Sequence, residues 1–324
     1  MEKVPATLQE AILYFADPAN CREFLVARRW PNGVVCPRCG STKVTFLEKY
    51  NRWQCSVTHD ARQFTSKTGT IFEDSPISLD KWLLAMWQVV NCKNGVSSYE
   101  IHRAIGVTQK TAWFMDHRIR LALQNGSLEK FSGTVEADET YVGGKAEFMH
   151  MDRRTRKLAE GTLGRGGYGK AIVFGLLDRK TKKARVKVIK TPKKGVVRGA
   201  IAEHVETGST IYTDALKSYR GLTLDGFIHD FIDHAETYAE GAVHTNGMEN
   251  FWSLLKRSIK GTYVSVEPFH LQAYCDEQAF RFNNRTMTDG ERFDAAVRGI
   301  VGKRIMFDEL IGKTNSDSSD VRPC

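Results

Sequence analysis

Apolar residues recur at helical spacing across residues 7–30. Leu8, Ile12, Phe15, Phe24 and Leu25 mark an expected buried face, interrupted at Asp17–Asn20, where Asp17 or Asn20 can cap a second helix. Pro31, Gly33, Pro37 and Gly40 then end the helical pattern. Residues 42–55 alternate and predict a β-hairpin turning around Lys49–Asn51, and residues 61–72 predict a further strand. The stretch 79–94 reads as an apolar helix with Trp82, Ala85, Met86 and Val89 on one face. A helix over 97–104, a turn at Ile105-Gly106-Val107 and a second helix from Thr108 to about Leu123 follow. Thr108 can cap that second helix and Gly106 permits the tight turn, a helix-turn-helix pattern.

After an expected linker at 124–133 the period changes from helix to strand. TVEAD predicts a strand, 171–178 and 184–189 a hairpin across RKTKK, 196–205 a helix, and 209–214 and 227–233 two more strands. Residues 153–170 form a glycine- and arginine-rich loop. The stretch 244–257 is helical, and 268–283 is a helix with Leu271, Tyr274, Phe280 and Phe282 packing. Arg281, Asn283, Asn284 and Arg285 give that helix a polar end suited to touching DNA or bracing its neighbour. The order β-β-β-α-β-α-β-α resembles the ribonuclease H-like fold.

Composition changes this picture in one respect. Across 324 residues the hydrophobic share of 41% and charged share of 26% are those of ordinary globular protein, but the net charge is +9. That sign favours a polyanionic partner. The charge is concentrated: Arg179 to Arg198 holds ten lysines and arginines and no acid, and Lys182, Lys183, Arg185, Lys193 and Lys194 are expected along a DNA backbone. No stretch reads as a membrane span or an apolar signal region, so no membrane partner and a cytoplasmic, nucleoid-associated location in a prokaryote are expected.

Seven cysteines fit that compartment if some hold metal. Cys36 and Cys39 form a C-x2-C knuckle, and Cys55 is followed by His59. These four donors, spanning a hairpin, suit one tetrahedral structural zinc ion in a ribbon. Thr58 occupies the commoner position of the fourth ligand, which leaves that ligand open.

The second candidate chemistry rests on carboxylates. Asp138 lies in the strand TVEAD, Asp214 ends the strand STIYTD, and Glu249 lies on a helix with Lys256 two turns on, about 10 Å along one face. Three convergent carboxylates can hold two Mg²⁺ or Mn²⁺ ions for phosphoryl transfer on DNA. Asp138 would bridge both ions, Asp214 and Glu249 would each hold one, and Lys256 would bind phosphate. Asn246 and His244 remain alternatives to Glu249 as third ligand. Gln109, Lys110, Thr111 and Trp113 lie where a recognition helix reads bases, and His117, Arg118, Arg120 and Arg257 are candidates for phosphate contact.

VEADETYVGGK, IYTDALKSY and HTNGMENFWSLLKRSIKGTY closely resemble the DDE-type insertion-sequence transposases of the bacterial family with an N-terminal zinc ribbon. CPRCG, TGTIFEDSPISLDKW and TQKTAWFMDHRIR resemble that family too, so the likeness covers roughly residues 10–290. The resemblance implies metal-dependent cleavage and strand transfer at terminal inverted repeats, with double-stranded repeat and target DNA as partners. The reaction implies at least a homodimer on DNA. It also keeps Asn246 and His244 open, since Asn or His replaces the third acid in some members. The expected organisation is an α+β multidomain chain: a helical segment (1–30), a zinc ribbon (31–76), a helix-turn-helix region (77–125), a ribonuclease H-like α/β catalytic domain (134–290), and a C-terminal segment with a disordered tail (291–324). Two other readings are an inert DNA-binding regulator, which the intact acidic set argues against, and a structure-selective nuclease or junction resolvase, which has less need of the N-terminal modules.

Overall fold

The computed structural model describes residues 4–124, 129–143, 151–152, 155, 170–214, 219, 221–232 and 244–313. Nearly all of the expected 153–170 loop, linker residues 125–128 and the tail from 314 onward lie outside the described residues. The chain forms two units, Met1–Gln124 with Asn284–Cys324, and Asn125–Asn283. The expected catalytic domain therefore gives up its last residues. Asn284 onward returns to the N-terminal unit instead of forming a separate C-terminal segment.

In the first unit, α1 (Leu8–Phe15) and α2 (Pro18–Arg29) are separated by Asp17, whose side chain accepts the Ala19 N–H while Pro18 opens the helix. Phe15, Phe24 and Leu25 are buried as expected, but Leu8 and Ile12 are 42% and 48% exposed; Ala11 takes the inward position instead. The three-stranded ribbon sheet runs β1 (Val44–Leu47), β2 (Arg52–Cys55) and β3 (Gln63–Phe64), with Asn51 left-handed at the hairpin tip. The strand expected over 61–72 is thus only two residues long.

Helix α3 (Leu79–Asn91) buries Trp82, Ala85, Met86 and Val89. Next come α4 (Ser98–Ile105) and α5 (Gln109–Ala122). Ser97 and Glu100 form a reciprocal cap on α4, Gly106 ends it at φ 63°, and Thr108 caps α5. Beyond the second unit, the chain returns as α9 (Asp289–Arg298) and α10 (Phe307–Leu310). Phe293 of α9 packs between Phe15, Phe24 and Trp87, and Asp294 accepts from Arg28 at 2.7 Å. That apolar contact is why residues beyond 284 belong to the N-terminal unit.

The second unit is a five-stranded sheet in the order β6-β5-β4-β7-β8. Its strands are β4 (Thr134–Val142), β5 (Ala171–Asp178), β6 (Lys183–Ile189), β7 (Thr210–Asp214) and β8 (Ile228–Ile232). β5 is antiparallel to β4 and β6, whereas β4, β7 and β8 run parallel. A helix expected between β7 and β8 is represented among the described residues by the 3-10 turn Leu222–Asp225.

Both faces of the sheet are covered, which explains why β4 is buried along most of its length. Val135 and Ala137 pack toward α6 (Lys194–His204). The alternate face carries α7 (Asn246–Ser258) and α8 (Leu271–Asn283). The polar end of α8 braces the sheet: Asn283 exchanges hydrogen bonds with Ala184 at 2.7 and 2.9 Å, and Gln272 accepts from Val188 N–H at 2.7 Å. Side-chain amides thus satisfy an edge strand. Arg281 is buried against Glu277 and Gln278, so it is not available to DNA.

Candidate active site and zinc ribbon

The knuckle is closed by local backbone geometry. Gly40, at φ 70°, donates its N–H to Cys36 O at 2.9 Å, which turns both thiols of the C-x2-C pair to one side. Cys55 ends β2 and His59 follows in the next turn. The donor atoms of Cys36, Cys39, Cys55 and His59 all lie within 4.8 Å of one another. Cys39 Sγ and Cys55 Sγ are 3.6 Å apart, and Cys36 Sγ and His59 Nε2 are 3.4 Å apart. A tetrahedron built on ordinary zinc–sulfur and zinc–nitrogen bonds has edges of about 3.6–3.8 Å, so the donor set fits zinc. His59 Nδ1 lies 2.7 Å from Asp60 O, and a carbonyl can only accept, so the proton is on Nδ1 and Nε2 is free to ligate. Burial pushes the Cys36 thiol up, but the Arg38 and Cys39 backbone N–H groups and the neighbouring thiols outweigh it and bring it to about 7. His59 therefore stands where Thr58 left the fourth ligand open.

In the second unit, β4 and β7 pair in parallel as Thr134 with Thr210 and Glu136 with Tyr212. Carried two residues further, the same register would set Asp138, in the middle of β4, level with Asp214 at the carboxyl end of β7. Asp138 is sandwiched between its strand and α7. Burial pushes its carboxyl up to about 6; the Trp252 hydrogen bond opposes this, while the charges of Asp214 and Glu249 add to it. All three acids therefore act in one electrostatic field. Among the described residues they do not form a set as tight as the ribbon donors. Hard oxygen donors with excess negative charge fit Mg²⁺ or Mn²⁺.

Glu249, Asn246, Lys256 and Arg257 are exposed on α7, whose Met248, Phe251, Trp252 and Leu255 face the sheet. Glu139 alternates to the other face, where it accepts from the buried Tyr219 hydroxyl. Burial raises its carboxyl to about 7, with Asp214 and Asp138 adding to the shift against that hydrogen bond.

Three residues outside the sequence-based set hold this site. Glu136, 2% exposed, accepts the Met248 N–H of α7 at 3.0 Å and a bond from Arg179 Nε at 2.8 Å. Arg179 Nη2 donates to His244 O at 2.6 Å and to His244 Nδ1 at 2.7 Å. His244 Nδ1 is therefore an acceptor, and only Nε2 could serve the ligand role considered for this side chain. Gly175, opposite Asp138 on β5, is the third: a Cβ there would fall 2.3 Å from Met248 and 2.7 Å from Trp252. The sequence signal available for Glu136 was its place two residues before Asp138, on the same strand face.

A family model described as the ISXO2-like transposase domain matches residues 130–283, and one described as the transposase zinc-ribbon domain matches residues 17–57. A Halobacterium salinarum protein named as an uncharacterized protein in transposable element ISH50 is 31% identical over 248 residues, covering 75% of this chain and 83% of its own. The chain belongs to the ISXO2-like transposase family. An uncharacterized transposase-like protein of Haemophilus influenzae is 36% identical over 84 residues, covering 26% of this chain and 68% of its own.

Within this transposase the expected DNA-contacting residues divide by exposure. Lys110, Lys182, Lys183, Lys193 and Lys194 are exposed. Gln109 donates to Ser98 at 2.9 Å, and Thr111 is tied to the Thr108 cap at 2.8 Å. Arg185 lies over the Phe131 ring and bonds Glu129 O, which makes it a packing residue. Arg118 is corrected outright: it is 4% exposed and donates to Ile71 O and Glu73 O at 2.9 Å, so it cannot reach a phosphate. His117 and Arg120 are buried as well, because this face of α5 is the inward face. Among the described residues, no helix is long and apolar enough to cross a membrane.

Proposed function

We propose that this transposase binds the terminal inverted repeats of its element and catalyses metal-dependent strand cleavage and strand transfer. Asp138, Asp214 and Glu249 form the acidic centre on a ribonuclease H-like sheet. The observation that carries the reading is the 2.9 Å bond from Trp252, on the helix that bears Glu249, to Asp138 on the central strand, whose carboxyl is pushed up to about 6 by burial with the charges of Asp214 and Glu249 adding to it. Such an arrangement is costly without a cation and is chemically useful with one. The mixed sheet order β6-β5-β4-β7-β8, with β5 alone running opposite to the other four strands, supports the fold assignment.

Two divalent ions would activate the attacking water or 3′-hydroxyl and neutralise the leaving oxygen. Asp138, Asp214 and Glu249 would hold these ions, with Asp138 central to the set. Trp252 orients one Asp138 oxygen, leaving the carboxylate a fixed direction. Lys256, two turns beyond Glu249 and exposed, neutralises a phosphate along the same helix. The α4–α5 helix-turn-helix offers Lys110 to repeat DNA, and the exposed lysines of residues 182–194 follow the backbone of the bound duplex. One zinc ion holds the ribbon. Two ends must meet for transfer, so the working species is a dimer or higher assembly on DNA.

The test is a strand-transfer assay on labelled duplexes carrying the ends that flank the gene, with Mg²⁺, with EDTA, and with Asp138→Ala. Joined products that require metal and vanish in the variant are expected. End binding without cleavage under any metal would instead identify an inert regulator, and cleavage indifferent to end sequence would identify a nuclease.

A further inference from the structure

Helix α7 is capped in an unusual way. Thr245 holds the N-cap position without a side-chain cap bond, and the open N–H of Met248, three residues into the helix, is taken by a carboxylate from another element. That carboxylate is Glu136 on β4. It places negative charge at the positive end of the helix dipole, the favourable sign.

The approach is close enough to require glycine. A Cβ at Gly247 would fall 2.7 Å from Glu136 Oε2. Arg179 completes the arrangement, bonding Glu136, both acceptors of His244 just before the helix, and stacking 4.6 Å from the Tyr212 ring of β7. His244 Nδ1 also lies 3.7 Å from Glu136 Oε1, but the bond it accepts comes from Arg179.

The positions of these residues give the cap its consequence. Asp138 lies two residues beyond Glu136 on the same face of β4, and Glu249 lies one residue beyond Met248 on α7. A bond from Glu136 to Met248 therefore sets the separation between two acids of the centre. A second bond, from Trp252 to Asp138 at 2.9 Å, holds the same helix one turn further on. Buried ion pairs are often no better for stability than apolar residues of the same shape, so stability alone is a weak reason for this one.

We infer that Glu136, clamped by Arg179, is a positioning residue that caps α7 from β4 and thereby fixes Glu249 against Asp138 for metal binding. This rests on the acidic centre proposed above. Partners of this kind, one step removed from a metal ligand, typically change metal affinity by about 10–100-fold when lost.

The test uses full-length zinc-loaded protein with Mn²⁺ as probe, comparing E136Q, R179K, G247A and D138A. Mn²⁺ affinity is measured by calorimetry, and cleavage of end duplexes is resolved into kcat and KM. E136Q and G247A are expected to weaken Mn²⁺ binding by about tenfold or more and to lower kcat, with KM for the duplex and zinc content unchanged. R179K, which keeps the charge but loses the fork, is expected to fall between them and the parent protein. G247A carries the test if E136Q does not fold, since it leaves both charged partners in place. Parental Mn²⁺ affinity and kcat in folded E136Q and G247A would overturn the inference. So would failure of all three variants to fold, which would make the pair a folding determinant. D138A separates the two levels: if it retains Mn²⁺ binding and cleavage, the acidic centre itself is misassigned, whatever the other variants do.

Discussion

Trp252 donates its indole N–H to Oδ2 of Asp138 at 2.9 Å, linking the helix that carries Glu249 to the central strand of the sheet. The second Asp138 oxygen accepts from the Glu139 backbone N–H at 2.8 Å. Trp252→Phe keeps the ring but removes the donor to a charged acceptor, an interaction worth about 1.5–3 kcal/mol. The Mg²⁺ concentration needed for half-maximal cleavage should rise, and a metal titration of the cleavage rate reads it.

Asp138 also predicts a pH dependence. Its folded-state carboxyl is raised to about 6, above the value in the unfolded chain. The folded state therefore binds more protons between those values, and stability is lost as pH rises through about 6. Metal-free protein should melt at a higher temperature near pH 5 than this group alone would allow at pH 7.5. Mg²⁺ should reverse the trend, since it competes with the proton and binds better at pH 7.5. Asp138→Asn should raise the metal-free stability at pH 7.5 by on the order of 2 kcal/mol while abolishing cleavage. Thermal melts at both pH values, with and without Mg²⁺, test all three statements.

Gly175 is a packing requirement. Its missing Cβ makes room for Met248 and Trp252, so Gly175→Ala should destabilise the protein by about 1–3 kcal/mol and displace α7. Urea denaturation gives the first quantity, and loss of cleavage in protein that remains folded gives the second.

The ribbon should bind one zinc ion per chain, measured by elemental analysis. Cys39→Ala should remove it and loosen the Trp30, Trp53 and Phe64 aromatic cluster, seen in near-ultraviolet circular dichroism. His59→Cys should retain the ion, because a thiolate can replace the imidazole.

Arg118 and Lys110 lie on the same helix and should behave oppositely. Arg118→Ala strips buried carbonyls of their donor and should cost about 2–4 kcal/mol in urea denaturation. Lys110→Ala should leave stability nearly unchanged, weaken end binding and reduce its salt dependence, as read by DNA titrations at several ionic strengths.

Much of this protein was determined by sequence alone, because its signals are local. Helix caps at Asp17 and Thr108, the turn at Gly106 and the C-x2-C knuckle depend on residues a few positions apart. Strand alternation likewise separates Asp138 from Glu139, since successive side chains must face opposite ways. The tertiary structure decided what depends on distant partners. A helical period cannot distinguish which face of α5 turns inward, and burial of Arg118 and Arg120 settled it against phosphate contact. Nor can composition assign residues beyond 284 to the N-terminal unit; the packing of Phe293 against Phe15, Phe24 and Trp87 did. The Glu136–Arg179 pair spans 43 positions in the chain, and its meeting with Met248 spans 112. A charge relation of that range exists only once the sheet has brought β4, β5 and α7 together.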